Sequence, residues 1–174
     1  MKKTFFLSCL IYPISTQAQS LRVGEWRDHL SYKSAHDVCE VGNTIYVSTD
    51  RALFEYNTAD NSIERLNTLN RLSDTGVSSI EANENTLIVA YDNGNIDMIR
   101  GNKTVNLSDI KNASLIADKR VNQINVDNNL AYLSCGFGIV VLDLDREEVK
   151  DTYFIGELGA QVNVLSTCIA HNRI

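Results

Sequence analysis

Several sets of residues in this chain are of types that do chemistry. Asp74-Thr75-Gly76 matches the triplet in which a carboxylate shares a proton with a partner carboxylate and activates water. That chemistry wants an apolar strand leading into the triplet, and here polar Ser73 precedes it. The triplet therefore reads as a turn, with Asp74 capping and Gly76 bending the chain. Asp92, Asn93, Asn95 and Asp97 bring oxygen-bearing side chains close together in sequence, as a calcium loop would. The Gly and distal Glu of an EF-hand loop are missing, and a hairpin tip between two strands accounts for the same residues.

His29, His36 and His171 are too scattered for a zinc motif. Of the four cysteines, Cys9 lies in the N-terminal apolar stretch described below. Cys39, Cys135 and Cys168 are left, an odd number without CxxC spacing. That is neither a disulfide framework nor a metal site, and all three are expected as small buried hydrophobes. Gly136-Phe137-Gly138 reads as a hairpin turn. Asn102-Lys103-Thr104, Asn106-Leu107-Ser108 and Asn112-Ala113-Ser114 fit the glycosylation sequon, which carries meaning mainly in eukaryotic secretion. GxSxG and phosphate-loop motifs are absent from the sequence. No catalytic, cofactor-binding or metal-ligating residue is assigned, and the expectation is a noncatalytic protein.

The elements that must carry these residues follow from the totals and the patterning. The chain has 174 residues, 44% hydrophobic and 22% charged, with a net charge of −6. That is enough to bury a core and too ordered a composition for a disordered chain. The acidic balance argues against a nucleic-acid partner and against electrostatic adhesion to anionic lipid. Lys2 and Lys3, the apolar stretch from Phe5 to Ile14, and Thr16-Gln17-Ala18 form a secretory signal over residues 1–18. The apolar stretch is too short to span a bilayer, and Pro13 interrupts it. Nothing later in the sequence is long and apolar enough for a transmembrane helix.

The rest repeats. Asn43-Thr44-Ile45-Tyr46-Val47 aligns with Asn85-Thr86-Leu87-Ile88-Val89 and with Asn129-Leu130-Ala131-Tyr132-Leu133, and the anchoring asparagines are 42 and 44 positions apart. Asn172 follows 43 further on. Each repeat holds four short apolar runs rich in Val, Ile, Tyr and Thr, bounded by Asn, Asp and Gly. The first runs are Ser34 to Val38, Gly76 to Ile80 and Arg120 to Ile124. The second begin at the anchors, the third at Ala52, Asn95 and Gly138, and the fourth at Ser62, Lys103 and Glu148. Helical repeats of this period need ten-residue stretches at helical spacing, which are not present. Four strands per unit of roughly 40–45 residues make a β-propeller blade.

The fold class is therefore all-β: three four-stranded blades and the start of a fourth, in a ring that does not close. Residues 19–32 form a lead-in, and residues 33–174 a partial propeller with repeats at about 33–75, 76–119, 120–160 and 161–174. Strand order from the inside of each blade outward is expected to follow chain order, with His36 able to line the channel. Three complete repeats are fewer than a ring needs, so a chain that stops at Ile174 is expected to be a truncation.

Longer words in the sequence carry a family resemblance. They are Trp26-Arg27-Asp28-His29-Leu30-Ser31-Tyr32, Leu72-Ser73-Asp74, and Leu107-Ser108-Asp109-Ile110-Lys111. The longest runs from Ala131 through Gly136-Phe137-Gly138-Ile139-Val140-Val141 to Leu144, and a last one is Lys150-Asp151-Thr152-Tyr153-Phe154-Ile155-Gly156. Together, from about Gly24 onward, they resemble the N-terminal β-propeller of the PorZ family, a component of the type IX secretion system. The resemblance implies a noncatalytic scaffold at the cell surface, associated with the outer membrane. It implies an attachment complex with the sortase PorU, PorV and PorQ. It also implies two propellers followed by a C-terminal β-sandwich, to which the family's handling of anionic lipopolysaccharide is attributed, so no binding residue carries over to this chain. The alternative is the exported sensor propeller of a hybrid two-component regulator, which would be periplasmic.

Overall fold

The structure is a computed structural model that describes residues 32–50 and 52–170. The signal segment, Cys9, His29, His171 and Asn172 lie outside the described residues. Twelve strands form among those described. The first sheet holds β1 (Ala35–Val41), β2 (Thr44–Thr49), β3 (Leu53–Asn57) and β4 (Ile63–Leu66). The second holds β5 (Val77–Ala82), β6 (Leu87–Tyr91), β7 (Ile96–Arg100) and β8 (Lys103–Leu107). A short helix, α1 (Asp109–Asn112), leads to the third, with β9 (Val121–Asp127), β10 (Leu130–Cys135), β11 (Gly138–Asp143) and β12 (Glu148–Tyr153). Every sheet is antiparallel with its strands in chain order. This is the all-β blade architecture that the repeat implies, and the three blades do not close a ring.

Local chemistry explains the turns. The Asn57 side chain accepts from the Ala59 N–H at 2.8 Å, Asp60 from Ser62 at 2.9 Å, and Asn93 from Asn95 at 3.0 Å. Asn83 accepts from both Asn85 and Thr86. Short polar side chains that bond their own backbone two residues on bend the chain without help from packing. The first strands run further than the sequence reading has them, to Val41, Ala82 and Asp127, because the whole length of β2, β6 and β10 offers ladder partners.

The core lies between blades rather than within them. β6 is buried throughout. Leu87, Val89 and Tyr91 join Tyr46, Leu53, Leu66 and Leu72 of the first repeat. Ile88 and Ala90 face the other way and join Val121, Ile124, Leu133 and Leu142 of the third blade. Alternate residues of one strand thus serve two interfaces, which is why this run shows no in-out alternation. Each fully buried aliphatic side chain here contributes about 1.5–3 kcal/mol.

β5 lies against both β1 and β9, which places the first strands innermost. The outer strands present Glu64 and Arg65 on β4, and Glu148, Lys150 and Asp151 on β12, all exposed. Charges on an edge discourage pairing with a foreign strand. Residues 161–170 continue past β12 beside β9. Asn122 Nδ2 donates to the Val164 carbonyl at 2.8 Å, and the Thr167 N–H donates to Gln123 Oε1 at 3.0 Å. No helix among the described residues is long and apolar enough to cross a membrane.

Candidate functional site

The starts of the inner strands carry the chemistry. Each inner strand has a bulge at the same place in its repeat: pairing shifts between Ala35 and Asp37, between Val77 and Ser79, and between Val121 and Gln123. The extra residues are His36, Ser78 and Asn122. A bulge re-aims its side chain out of the ladder: His36 and Ser78 line one cleft, while Asn122 bonds Asn163 and Val164 of the following segment.

His36, Asp50, Val77, Ser78, Asp92 and Arg120 line this polar cleft, of about 340 Å³, at one mouth of the blade arc. His36 Nε2 pairs with Asp50 Oδ1, and Arg120 Nη1 donates to Asp92 Oδ1 at 2.5 Å. The second pair ties the hairpin of one blade to the entry of the next. The Ser78 hydroxyl is buried among these groups without a hydrogen-bond partner. His36, read from its first-strand placement as able to line the channel, lines this cleft.

Asp74 lies beside the mouth. Its Oδ2 accepts from Lys111 Nζ and Asn93 Nδ2, each at 2.7 Å, and its Oδ1 from the Thr75 N–H at 2.9 Å. Partial burial opposes ionisation, but the bonds from Lys111, Asn93 and Thr75 outweigh it and hold the carboxyl down at about 2. The triplet lies in the bend between β4 and β5, and its carboxylate is spent on Lys111, Asn93 and the Thr75 N–H. Gly76 takes φ +79°, and a Cβ there would lie 2.9 Å from Asp92 Oδ2.

The four oxygen residues diverge. Asp92 and Asn93 occupy the tip between β6 and β7, whereas Asp97 lies inside β7 and is fully buried. Asp97 Oδ2 accepts from the Tyr91 hydroxyl at 2.6 Å and from the Ser73 N–H at 2.7 Å, and Oδ1 from Asn106 Nδ2 at 2.8 Å. Burial and the neighbouring Asp97 push the Tyr91 hydroxyl well above its ordinary range. The hairpin-tip reading is thus corrected for Asp97, which latches the linker of one blade to the sheet of the next. Among the described residues no group of three His, Cys, Asp or Glu side chains is placed to hold a metal ion.

Burial pushes the Cys39 and Cys135 thiols up to about 12. Cys168 is exposed, which corrects its reading as a buried hydrophobe. Gly136-Phe137-Gly138 is a turn between β10 and β11, but Phe137 in it is 1% exposed and plugs the interface of the second and third blades. The Asn106 amide is spent inside its blade, on Asn95, Ile96 and Asp97. Asn112 donates to Ser108 of its own short helix. What sequence reasoning missed is the bulge set and the ties between blades, since neither leaves a mark on local patterning.

These features define a propeller segment with a polar mouth. The chain matches the model of the TSS9 PorZ N-terminal β-propeller domain over residues 45–173. The chain belongs to this PorZ N-terminal β-propeller family. Among solved structures it is similar to PorZ of Porphyromonas gingivalis, an essential bacterial surface component of the type IX secretion system. The identity is 30% and the TM-score 0.65, over 69% of this chain and 17% of that one. It therefore spans about a sixth of that relative's length. It also shares its fold, at 14% identity and TM-score 0.56, with the extracellular domain of a protein assigned to a hybrid two-component system of B. thetaiotaomicron. That match covers 68% of this chain and 16% of the other. The designed protein Ika4 is similar at 9% identity and TM-score 0.56, covering 75% of this chain and 78% of its own. Among curated proteins none matches.

Proposed function

We propose that this chain is part of a noncatalytic scaffold of the type IX protein secretion system, exported by its N-terminal signal and held at the outer face of the outer membrane. The carrying observation is membership of the PorZ N-terminal propeller family, together with 30% identity to a surface component of that system. The site chemistry supports the reading. The groups at the mouth make hydrogen bonds and ion pairs, as the polar groups of a binding surface do. The partners are other members of the attachment complex, PorU, PorV and PorQ, with anionic lipopolysaccharide engaged through a C-terminal domain. The sensor reading rests on likeness in fold at 14% identity, which carries no function.

The test is deletion of the gene in its host. Loss of cargo from the cell surface, with cargo accumulating uncleaved in the periplasm, is the expected result. Co-purification of PorU, PorV or PorQ with a tagged copy adds to it. Normal cargo display together with a lost transcriptional response to a nutrient would favour the sensor and reject the scaffold.

A further inference from the structure

The linker between the second and third blades, residues 108–120, is three residues longer than the one before it, residues 67–76, and it holds α1. Beyond α1 its burial alternates. Ala113, Leu115 and Ala117 are half-buried, while Ser114, Ile116 and Asp118 are exposed. Leu115 and Ala117 pack against the core between the blades. The outward row is polar but for Ile116, which is fully exposed. Both blades that flank this linker have all four strands, so its surroundings are complete.

Next to this knob lies a hole. A cavity of about 240 Å³ opens between α1, the same linker and the outer strands of the third blade. Ile110, Leu115, Phe137, Val140, Val149 and Phe154 give it walls that are almost wholly apolar. Phe154 packs on the buried Phe137 at 6.3 Å between ring centroids, which fixes one wall. The cavity is smaller than the roughly 300–1,000 Å³ of a small-molecule site and has little polar surface to orient one. It suits an aliphatic side chain. An exposed isoleucine alone means little. Here Leu115 lines the hole and its chain neighbour Ile116 is the knob, so one short segment carries both halves of a contact.

We infer that this face pairs with the same face of a second copy of the chain, with Ile116 of each copy seated in the cavity of the other. A two-fold axis makes every contact twice, so a surface with knob and hole side by side meets its own image. A partner of different sequence would need both features at the same separation, whereas a second copy supplies them by symmetry. Charge sets a condition on the pairing. The sequence carries a net charge of −6, so two copies repel at long range and the apolar contact is what holds them. Salt relieves that repulsion, since the screening length is about 8 Å at physiological ionic strength.

Sedimentation equilibrium of the purified native protein tests this. The mass is expected to rise from one copy to two with concentration, and the dimer to tighten as salt is added. Ile116→Asp changes a fully exposed side chain, so the fold is kept, and it should weaken the dimer at least about a hundredfold. Ala113→Leu, which fills the cavity from its wall, should weaken it comparably. An equimolar mixture of the two variants should associate more tightly than either alone, because one knob then meets one open cavity. Matching far-UV circular dichroism admits Ala113→Leu to the comparison, and Ile116→Asp decides without it. A monomer at every concentration overturns the inference and leaves the face to another protein or another part of a longer chain. A dimer that ignores Ile116→Asp, that loosens with salt, or that gains nothing on mixing overturns it as well.

Discussion

Arg100 at the end of the second blade's third strand reaches into the third blade and bonds Glu147 at 2.8 Å between Nη1 and Oε1. The same guanidinium donates Nε–H to Thr86 at 2.7 Å and Nη2–H to the Leu144 carbonyl. Lys103 adds a second cation to Glu147 at 3.1 Å. Glu147 itself stands at φ +58°, a conformation few residues other than Gly or Asn adopt. At the other end of the interface, Arg120 and Asp92 form the corresponding tie. Polar fasteners at both rims thus flank the apolar core between these blades.

Arg100→Ala should lower stability by about 2 kcal/mol, because it leaves the half-buried Glu147 with only Lys103 and frees a backbone carbonyl. Arg100→Lys should recover less than half of that, since an ammonium cannot match the planar fork. Urea unfolding of the two variants, with Glu147→Gln to complete a double-mutant cycle, measures the coupling. Equal stability of all four proteins would show the tie to be idle.

Asp97→Ala should cost about 3 kcal/mol, more than the change at Arg100. It strands the buried Tyr91 hydroxyl and takes away the acceptor of the Ser73 N–H and one of the three acceptors of the Asn106 amide. Tyr91→Phe removes one donor while keeping the ring and should cost about 1 kcal/mol. Thermal melts of the two variants rank them, and the reverse order would refute the latch.

Asp74 makes a prediction in pH. Its carboxyl in the folded chain titrates at about 2, below the ordinary value near 3.9 of an unfolded chain. A depressed folded value means that its contribution is fully present above about pH 4 and is lost as pH falls toward 2. The contribution is on the order of 1 kcal/mol once solvent screening is allowed for. The Asp74→Asn variant should therefore be less stable than wild type at pH 6 and converge on it near pH 2. Parallel curves across that range would count against the ion pair with Lys111.

Thiol labelling separates the cysteines. Cys39 and Cys135, with thiols pushed up to about 12 by burial, should stay protonated and unlabelled at pH 8, while exposed Cys168 reacts. Native protein should thus consume one equivalent of a thiol reagent for these residues, and denatured protein three. Fast labelling of Cys135 would mean that the interface around it opens.

The strands were legible because their signals are local. The second run of the middle repeat, begun at the anchor Asn85, holds β6, which is buried along its whole length. Asn93 reads as a hairpin-tip residue, and its side chain accepts from the Asn95 N–H two residues on. The polar mouth was legible only in part. His36 falls in a first strand, but Ser78 and Asn122 look like any strand residues until the ladder register puts each at a bulge.

The amino-acid sequence by itself determined the period, the four strands of each repeat and the turns between them. Those depend on residues within a few positions of each other: alternation, β-branching and Asx chemistry. Tertiary structure alone decided which equivalent residues are covered. Val38 and Ile80 share a pattern but not an environment, Asp92 and Asp97 share a charge but not a surface, and Cys135 is buried where Cys168 is exposed. Their environments are supplied by the adjacent blade, some 42 to 47 positions along the chain in ties such as Asp37 to Ser79 and Arg100 to Glu147. Such a distance leaves no local pattern to read, because the partner is brought up by the stacking of whole sheets.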